Sequence, residues 1–372
     1  MLSSHASKLA KIALLLQFVA CDKASSDASN TPDAGASTAG AESESSKPDA
    51  EPDTAVAGSD AADSDAAAAE PAKDHFTIGT FNLAWAHDTF GEYDPKRSVE
   101  NRAQTDADWE WKLGAIAGIL AEAKLDVVAL HELGGDLETT QIVEAIAAAG
   151  GPEYEYAYQD SDDPQNGHNS AILSRFPLSN ERRLDIHLRR HVVADVELPS
   201  GGPVTIIAVH TPEGSREKPE KARRDQVESL ERELGPLRQK HPVIVLGTFG
   251  SNVVPADDGY AESAAGMLAG ADTRDEADDC QDSADVGRVL QTTSDETLAD
   301  RIFTCGIEMR DAETRFDDKI VRDGADDWKR PWSQVPVDAE PFRDVSDHLL
   351  LVAIVELPKP KADADADADA DE

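Results

Sequence analysis

The stretch "VIVLGTFGSNVV", residues 243–254, decides how the rest of the chain is read. Val243–Leu246 is an unbroken run of β-branched and leucine side chains, the mark of a strand buried on both faces. Gly247 and Gly250 then break the run into a turn. A turn at the mouth of a buried strand is where α/β enzymes often hold their working groups. This one offers Thr248, Phe249 and Gly250, with no carboxylate, amide or imidazole among them.

Outward from this strand, residues 74–358 alternate between strand and helix patterns. "HFTIGTFNL" opens as a strand. "DADWEWKLGAIAGILAEA" follows with Trp109, Leu113, Ile116 and Leu120 at helical spacing and Asp106 or Asp108 as an N-cap. "LDVVALHEL" reads as a buried strand and "DLETTQIVEAIAAAG" as a helix stopped by glycine. Four strand-like runs come next: "YEYAYQ", "SAILSRF", "HVVADVEL" and "VTIIAVH". A long polar helix, residues 216–240, leads into the opening stretch, and "LADRIFTCG" and "HLLLVAIVEL" close the region. Strands that first alternate with helices and later follow one another exclude a purely parallel sheet.

The flanks are of another kind. Lys8 and Lys11 precede the short apolar run Ile12–Ala20, which ends at Cys21 and is too short for a permanent membrane span. "FVAC", Phe18–Cys21, resembles the lipobox of bacterial lipoproteins, although Phe18 stands where leucine is usual, and a plain signal peptide is the competing reading. The first reading makes 1–21 a leader, Cys21 a lipidated membrane anchor, and the protein an exported lipoprotein on the periplasmic face or cell surface of a bacterium. Residues 22–73 contain no aromatic side chain and are dominated by Ala, Ser, Asp, Glu, Pro and Gly. Such a segment cannot bury enough apolar surface to offset its ordering entropy. It reads as a disordered tether, and the acidic repeat at 359–372 as a solvated tail.

These flanks account for only −11 of the formal charge of −39, so residues 74–358 carry −28. Long nucleic acid is held through many Lys and Arg contacts, so a small phosphoester or a lipid headgroup is the better-matched ligand. The two basic clusters, "HLRRH" (187–191) and "EKARR" (220–224), read as a solvated strand end and a helix face. With Cys21 used for lipid, Cys280 and Cys305 remain as an even pair, and a disulfide between them fits an oxidising compartment. A monomer is expected.

Several strands end on a residue able to hold a metal or a phosphate: Asn82, Glu132, His210, Asp300, Asp347 and His348. Each taken alone has a plainer reading as a turn cap, a solvated acid or a satisfied histidine. The ordered set is more informative. "TFNLAW", "DVVALHEL", "SAILSRFPL", "TIIAVHT", "PVIVLGTFGSN", "ADRIF" and "SDHLLLVAIVEL" resemble, in order and approximate spacing, the endonuclease/exonuclease/phosphatase superfamily. That superfamily includes DNase I-like nucleases, sphingomyelinases and inositol polyphosphate phosphatases. The resemblance spans nearly all of 74–358 and is weakest between Ala256 and Leu298.

It implies a DNase I-like, four-layer α/β sandwich: two packed mixed, mostly antiparallel sheets flanked by helices, with a cleft where strand ends converge. It also implies Mg²⁺ or Mn²⁺ as cofactor, with Glu132 the main ligand and Asp347 a second, partly through water. Asn82 would orient the metal–phosphate cluster. His348 would contact the scissile phosphate with Asp300 as its orienting carboxylate, and His210 would be a second phosphate-facing histidine.

The opening stretch is where the match fails. The family turn reads Gly-Asp-Phe-Asn, its Asp handling the attacking water and its Asn binding phosphate. Here it reads Gly247, Thr248, Phe249, Gly250, so the shape-giving residues remain and both chemical side chains are gone. Asn252, Asp257 and Asp258 lie downstream as substitutes of lower precision. His131, where the family often has glutamine, reads as a harmless neighbour of Glu132. Two readings stand: a metal-dependent phosphoesterase using direct water attack with impaired or rearranged activation, and a non-catalytic surface protein that binds a phosphate-bearing ligand or a protein through the same cleft.

Overall fold

Strand β8 (Val243–Thr248) is buried along its whole length because it is covered from both sides. Ile244 and Leu246 face a core shared by two sheets, whereas Val243 and Val245 face a second core under a helix. Alternate residues of a strand point to opposite faces, so a two-sided environment demands the unbroken apolar run seen in the sequence. The computed structural model describes residues 74–86, 106–160, 169–186, 189–199, 202–211, 217–250, 263–269, 280–287, 289, 291–293, 298–320 and 345–357. The expected leader, tether and acidic tail, and the downstream residues Asn252, Asp257 and Asp258, lie outside these.

In chain order the elements are β1 (His75–Ala86), α1 (Asp106–Ala123), β2 (Val127–Leu133), α2 (Asp136–Ala148), β3 (Tyr156–Gln159), β4 (Asn169–Ser174), β5 (Leu178–Ile186), β6 (Arg189–Leu198) and β7 (Gly202–His210). Then follow α3 (Glu217–Arg238), β8, α4 (Ala264–Ala269), β9 (Cys280–Asp282), α5 (Ser283–Val286), β10 (Asp300–Cys305), β11 (Met309–Arg315), α6 (Asp317–Ile320) and β12 (Leu350–Glu356). One sheet has the order β11-β12-β1-β2-β4-β3 and the other β5-β6-β7-β8-β10-β9. Each contains a single parallel pair, β1–β2 in the first and β7–β8 in the second. All other pairings are antiparallel.

Three apolar clusters fill the spaces between four layers. Val128 and Leu130 pack with Ile116 and Leu120 of α1 and Ile142 and Ile146 of α2. Val127 and Ala129, on the other face of the same strand, meet Val192, Ile206 and Leu246 from the second sheet. The outer face of that sheet carries Ile207, Val209 and Val245 against Val227, Leu230 and Leu234 of α3. The mixed, mostly antiparallel four-layer sandwich read from the sequence is the architecture present.

Two strands have no clear signature in the sequence. β5 is an edge strand with largely solvent-facing side chains, including Arg182 and Arg183, and polarity of that kind protects an edge from pairing with another chain. β11, "MRDAETR", buries only Met309 and Ala312 and sits at the opposite sheet's edge. β9, in the weakly patterned region, is three residues long, and its Cys280 lies directly across from Cys305. The two are disulfide-bonded, with Cα atoms 4.3 Å apart. Arg223, in the basic cluster assigned to a solvated helix face, is buried, which corrects that reading for this side chain.

Candidate active site

Glu132 stands at the end of β2 in a left-handed conformation, φ 60°, where the register of both neighbouring pairs shifts. The bulge re-aims the side chain, which strict alternation would otherwise fix. Its carboxylate is nearly buried and held on both oxygens. Oε1 accepts from Asn82 Nδ2 at 3.2 Å, and Oε2 accepts from the Trp85 backbone N–H at 3.1 Å. His210 Nε2, arriving from the end of β7, lies 3.4 Å from Oε1.

The Asn82 amide joins the two sheets. Its Nδ2 also faces Thr248 Oγ1 at 3.3 Å, and its Oδ1 accepts the Ala84 N–H at 2.9 Å. The Thr248 hydroxyl in turn donates to Asp300 Oδ1 at 2.7 Å. Asp300 Oδ2 pairs with His348 Nδ1, also at 2.7 Å. A buried polar chain therefore runs Glu132–Asn82–Thr248–Asp300–His348, drawing on β1, β2, β8, β10 and the loop before β12. Ser346 braces its far end, donating to the Asn82 carbonyl at 2.8 Å and accepting the His348 N–H at 3.0 Å. The Thr292 hydroxyl accepts the backbone N–H groups of both Ala299 and Asp300 at 2.9 Å.

Five of the six residues singled out in the sequence thus meet within one network. Asp347, partly exposed next to His348, joins through charge: it and Glu132 are the two anions that act on Lys112. Lys112 itself was not anticipated. It projects from α1, is fully buried, and donates to the Ala84 carbonyl at 2.6 Å. Burial pushes its ammonium down to about 7, with Asp347 and Glu132 partly opposing that shift. The sequence did carry a signal, since Lys112 lies on the same helical stripe as Trp109, Ile116 and Leu120. A lysine inside an apolar stripe needs a partner.

The turn after β8 retains its shape for reasons of packing. A Cβ at Gly247 (φ 140°) would fall 1.9 Å from the Val209 carbonyl and 2.9 Å from the His131 ring. Phe249 is fully buried and packs edge-on against Phe303, ring centroids 5.1 Å apart. His131 ties β2 to its two neighbours within one sheet, its Nε2 3.0 Å from Thr80 Oγ1 on β1 and its Nδ1 2.9 Å from Ser170 Oγ on β4. Burial, then the neighbouring His210, holds its pKa well below the ordinary histidine value, so it is neutral in the fold.

A hard divalent cation takes oxygen ligands, and Mg²⁺ commonly uses one or two carboxylates with water and substrate filling the rest. Glu132, nearly buried, and the partly exposed Asp347 supply carboxylates of that kind. Among the described residues no group of three or more His, Cys, Asp or Glu is arranged to hold a metal ion.

Two twisted sheets face to face, with an acid–amide–histidine network at their converging strand ends, define the phosphoesterase/nuclease type of sandwich. The chain belongs to the Endonuclease/Exonuclease/phosphatase family, whose model matches residues 79–348. No curated protein matches the sequence significantly. Among solved structures, an endonuclease/exonuclease/phosphatase from Bacteroides vulgatus is 14% identical with a TM-score of 0.51, over 77% of this chain and 100% of that one. An endonuclease/exonuclease/phosphatase from Beutenbergia cavernae is 15% identical with a TM-score of 0.51, over 77% of this chain and 72% of that one. A humanized D. rerio TDP2 is 14% identical with a TM-score of 0.50, over 76% of this chain and 100% of that one. At these identities the likeness is one of fold.

Proposed function

We propose that the protein is a metal-dependent phosphoesterase of reduced turnover, acting on a small phosphoester or lipid headgroup by direct attack of water. The observation that carries this reading is the buried Asp300–His348 pair, joined through Thr248 and Asn82 to Glu132. Glu132 and Asp347 would hold Mg²⁺ or Mn²⁺, which supplies charge neutralisation at the phosphoryl oxygens. Asn82 fixes Glu132. With Nδ1 committed to Asp300, His348 presents Nε2 to a scissile phosphate, and His210 is the second histidine facing it. The net charge of −28 on residues 74–358 disfavours long nucleic acid. Part of the same proposal is export and lipid attachment at Cys21, which would hold the protein at a membrane surface; the lipobox-like Phe18–Cys21 sequence supports it.

Thr248 supports a second reading. A threonine hydroxyl is no base near neutral pH, and this one is occupied between Asp300 and Asn82. Gly250 supplies no phosphate donor from a side chain. Loss of a positioned base or of one transition-state hydrogen bond costs about 10²–10⁴ in rate. The cleft would then serve chiefly to bind a phosphate-bearing ligand or a protein.

The test is hydrolysis of chromogenic phosphodiesters and phosphomonoesters with Mg²⁺ or Mn²⁺. Wild type is compared with Glu132→Ala and Thr248→Asp/Gly250→Asn. Metal-dependent turnover in wild type that Glu132→Ala abolishes supports the enzyme. Turnover in the doubly substituted protein alone supports the binding reading. Turnover in wild type that Glu132→Ala leaves intact refutes the assigned site.

A further inference from the structure

Two consecutive non-glycine residues at the end of β1, Ala84 (φ 47°) and Trp85 (φ 62°), occupy the left-handed region. Each such residue is strained and persists only where its surroundings over-determine it. The peptide between them is gripped from both sides. Its carbonyl, that of Ala84, accepts from Lys112 Nζ at 2.6 Å, and its N–H, that of Trp85, donates to Glu132 Oε2 at 3.1 Å. In a trans peptide these two groups point in opposite directions, and the chain has no cis bond among the described residues. Lys112 and Glu132 thus clamp one peptide plane, while the Asn82 Oδ1 takes the preceding N–H, that of Ala84.

We infer that Lys112 is a positioning residue for the metal-binding carboxylate, holding the Ala84–Trp85 peptide so that its N–H is aimed at Glu132. The inference rests on the reading of Glu132 as a metal ligand. A fully buried lysine on α1 serves no apolar packing that leucine or methionine would not serve better. The usual effect of a nearby ammonium is to repel a divalent cation. A positioning role predicts the opposite sign on removal: metal affinity falls, although a positive charge has been taken away. Outer partners of metal ligands are typically worth about 10–100-fold in affinity.

The experiment uses the purified full-length protein with tryptophan ¹⁵N-labelled and Trp85 assigned by Trp85→Phe. In metal-free wild type the Trp85 amide should lie downfield and exchange slowly, as an N–H on a carboxylate does. Lys112→Met and Glu132→Gln should both move it upfield and speed its exchange, and Lys112→Arg, which keeps a cationic donor, should retain most of the wild-type position. Mn²⁺ binding, followed by the electron paramagnetic resonance of the free ion, should weaken about 10–100-fold in Lys112→Met and much less in Lys112→Arg. Unchanged or tighter Mn²⁺ binding in Lys112→Met overturns the inference, as does an unmoved Trp85 amide. If Lys112→Met does not fold, fast exchange of the Trp85 amide in wild type overturns it and slow exchange with rescue in Lys112→Arg supports it. Wild type that binds no Mn²⁺ refutes the metal site but not the clamp, which the metal-free resonance decides separately.

Discussion

Thr248 and Asp300 face each other across the antiparallel pair β8–β10, and the Thr248 hydroxyl donates to Asp300 at 2.7 Å. A neutral donor at 248 fills the place where the family's turn carries a carboxylate. It leaves Asp300 with a hydrogen bond in place of a like charge, while Asp300 still pairs with His348. Both Asp300 oxygens are therefore hydrogen-bonded, one to Thr248 and one to His348, with no second carboxylate beside them at 248.

Thr248→Asp should destabilise the metal-free protein for that reason. Two carboxylates directly opposite one another repel, and one is driven to stay protonated. The expected loss is about 1–3 kcal/mol, largely recovered in excess Mg²⁺. Calorimetric melts with and without the ion check it; a melting temperature that neither substitution nor metal shifts would refute the account of Thr248.

Gly247 and Phe249 should prove to be fold residues with no part in chemistry. Gly247→Ala is expected to prevent folding, since its methyl would overlap the Val209 carbonyl. Phe249→Ala should cost about 3–5 kcal/mol, as for other buried aromatics. Urea denaturation of the two variants measures both effects.

If the protein turns over a phosphoester, His348→Gln should lower kcat about 10²–10⁴-fold while leaving Mn²⁺ affinity near the wild-type value. The separation follows from the chain of contacts, in which the His348 ring is joined to Glu132 through Asp300, Thr248 and Asn82. Parallel kinetics and metal titration test it, and an equal loss in both would show that the histidine acts on the metal instead.

Stability should rise with pH in two windows. His131 is neutral in the fold because burial holds its pKa well below 6.5, whereas the unfolded chain protonates near that value. Lys112 titrates at about 7 in the fold and near 10.5 when unfolded. In each interval the unfolded chain binds more protons, so acidification destabilises. The first contribution is lost as pH falls below 6.5, and the second as pH falls from 10.5 to about 7. Melting curves across pH should flatten below 6.5 in His131→Gln and above 7 in Lys112→Met.

The Cys280–Cys305 bond closes a sequence separation of 25 residues, worth roughly 3 kcal/mol by loop entropy. It fixes the three-residue β9 to the strand that carries Asp300. Reduction should therefore lower the midpoint of urea unfolding by an amount of that order, and Cys280→Ser/Cys305→Ser should match the reduced protein. Coincident midpoints for oxidised and reduced protein would refute it.

The strands that carry the site were legible because burial on both faces writes itself as continuous apolar runs, as in Val127–Leu130 and Val243–Leu246. The helix over 106–123 was legible for the same reason, its apolar residues recurring at the helical period. β5 and β11 were not, because edge strands exposed on one face carry polar side chains that look like loop. The sequence also marked where the polar groups would gather, since Glu132, His210, Asp300 and His348 stand at or just beside strand ends, although Asn82 lies inside a β1 that runs on to Ala86.

By itself, then, the sequence determined the layered architecture, the family, and the absence of Asp and Asn from the turn after β8. These are properties of local pattern and of residue identity at fixed order. Only the tertiary structure decided what stands in their place: Thr248 bridging Asn82 and Asp300 over separations of 166 and 52 residues, and Lys112 reaching Ala84 from a helix 28 residues away. Such contacts depend on how two sheets and a helix converge in space, and a chain read one residue at a time carries no record of that distance.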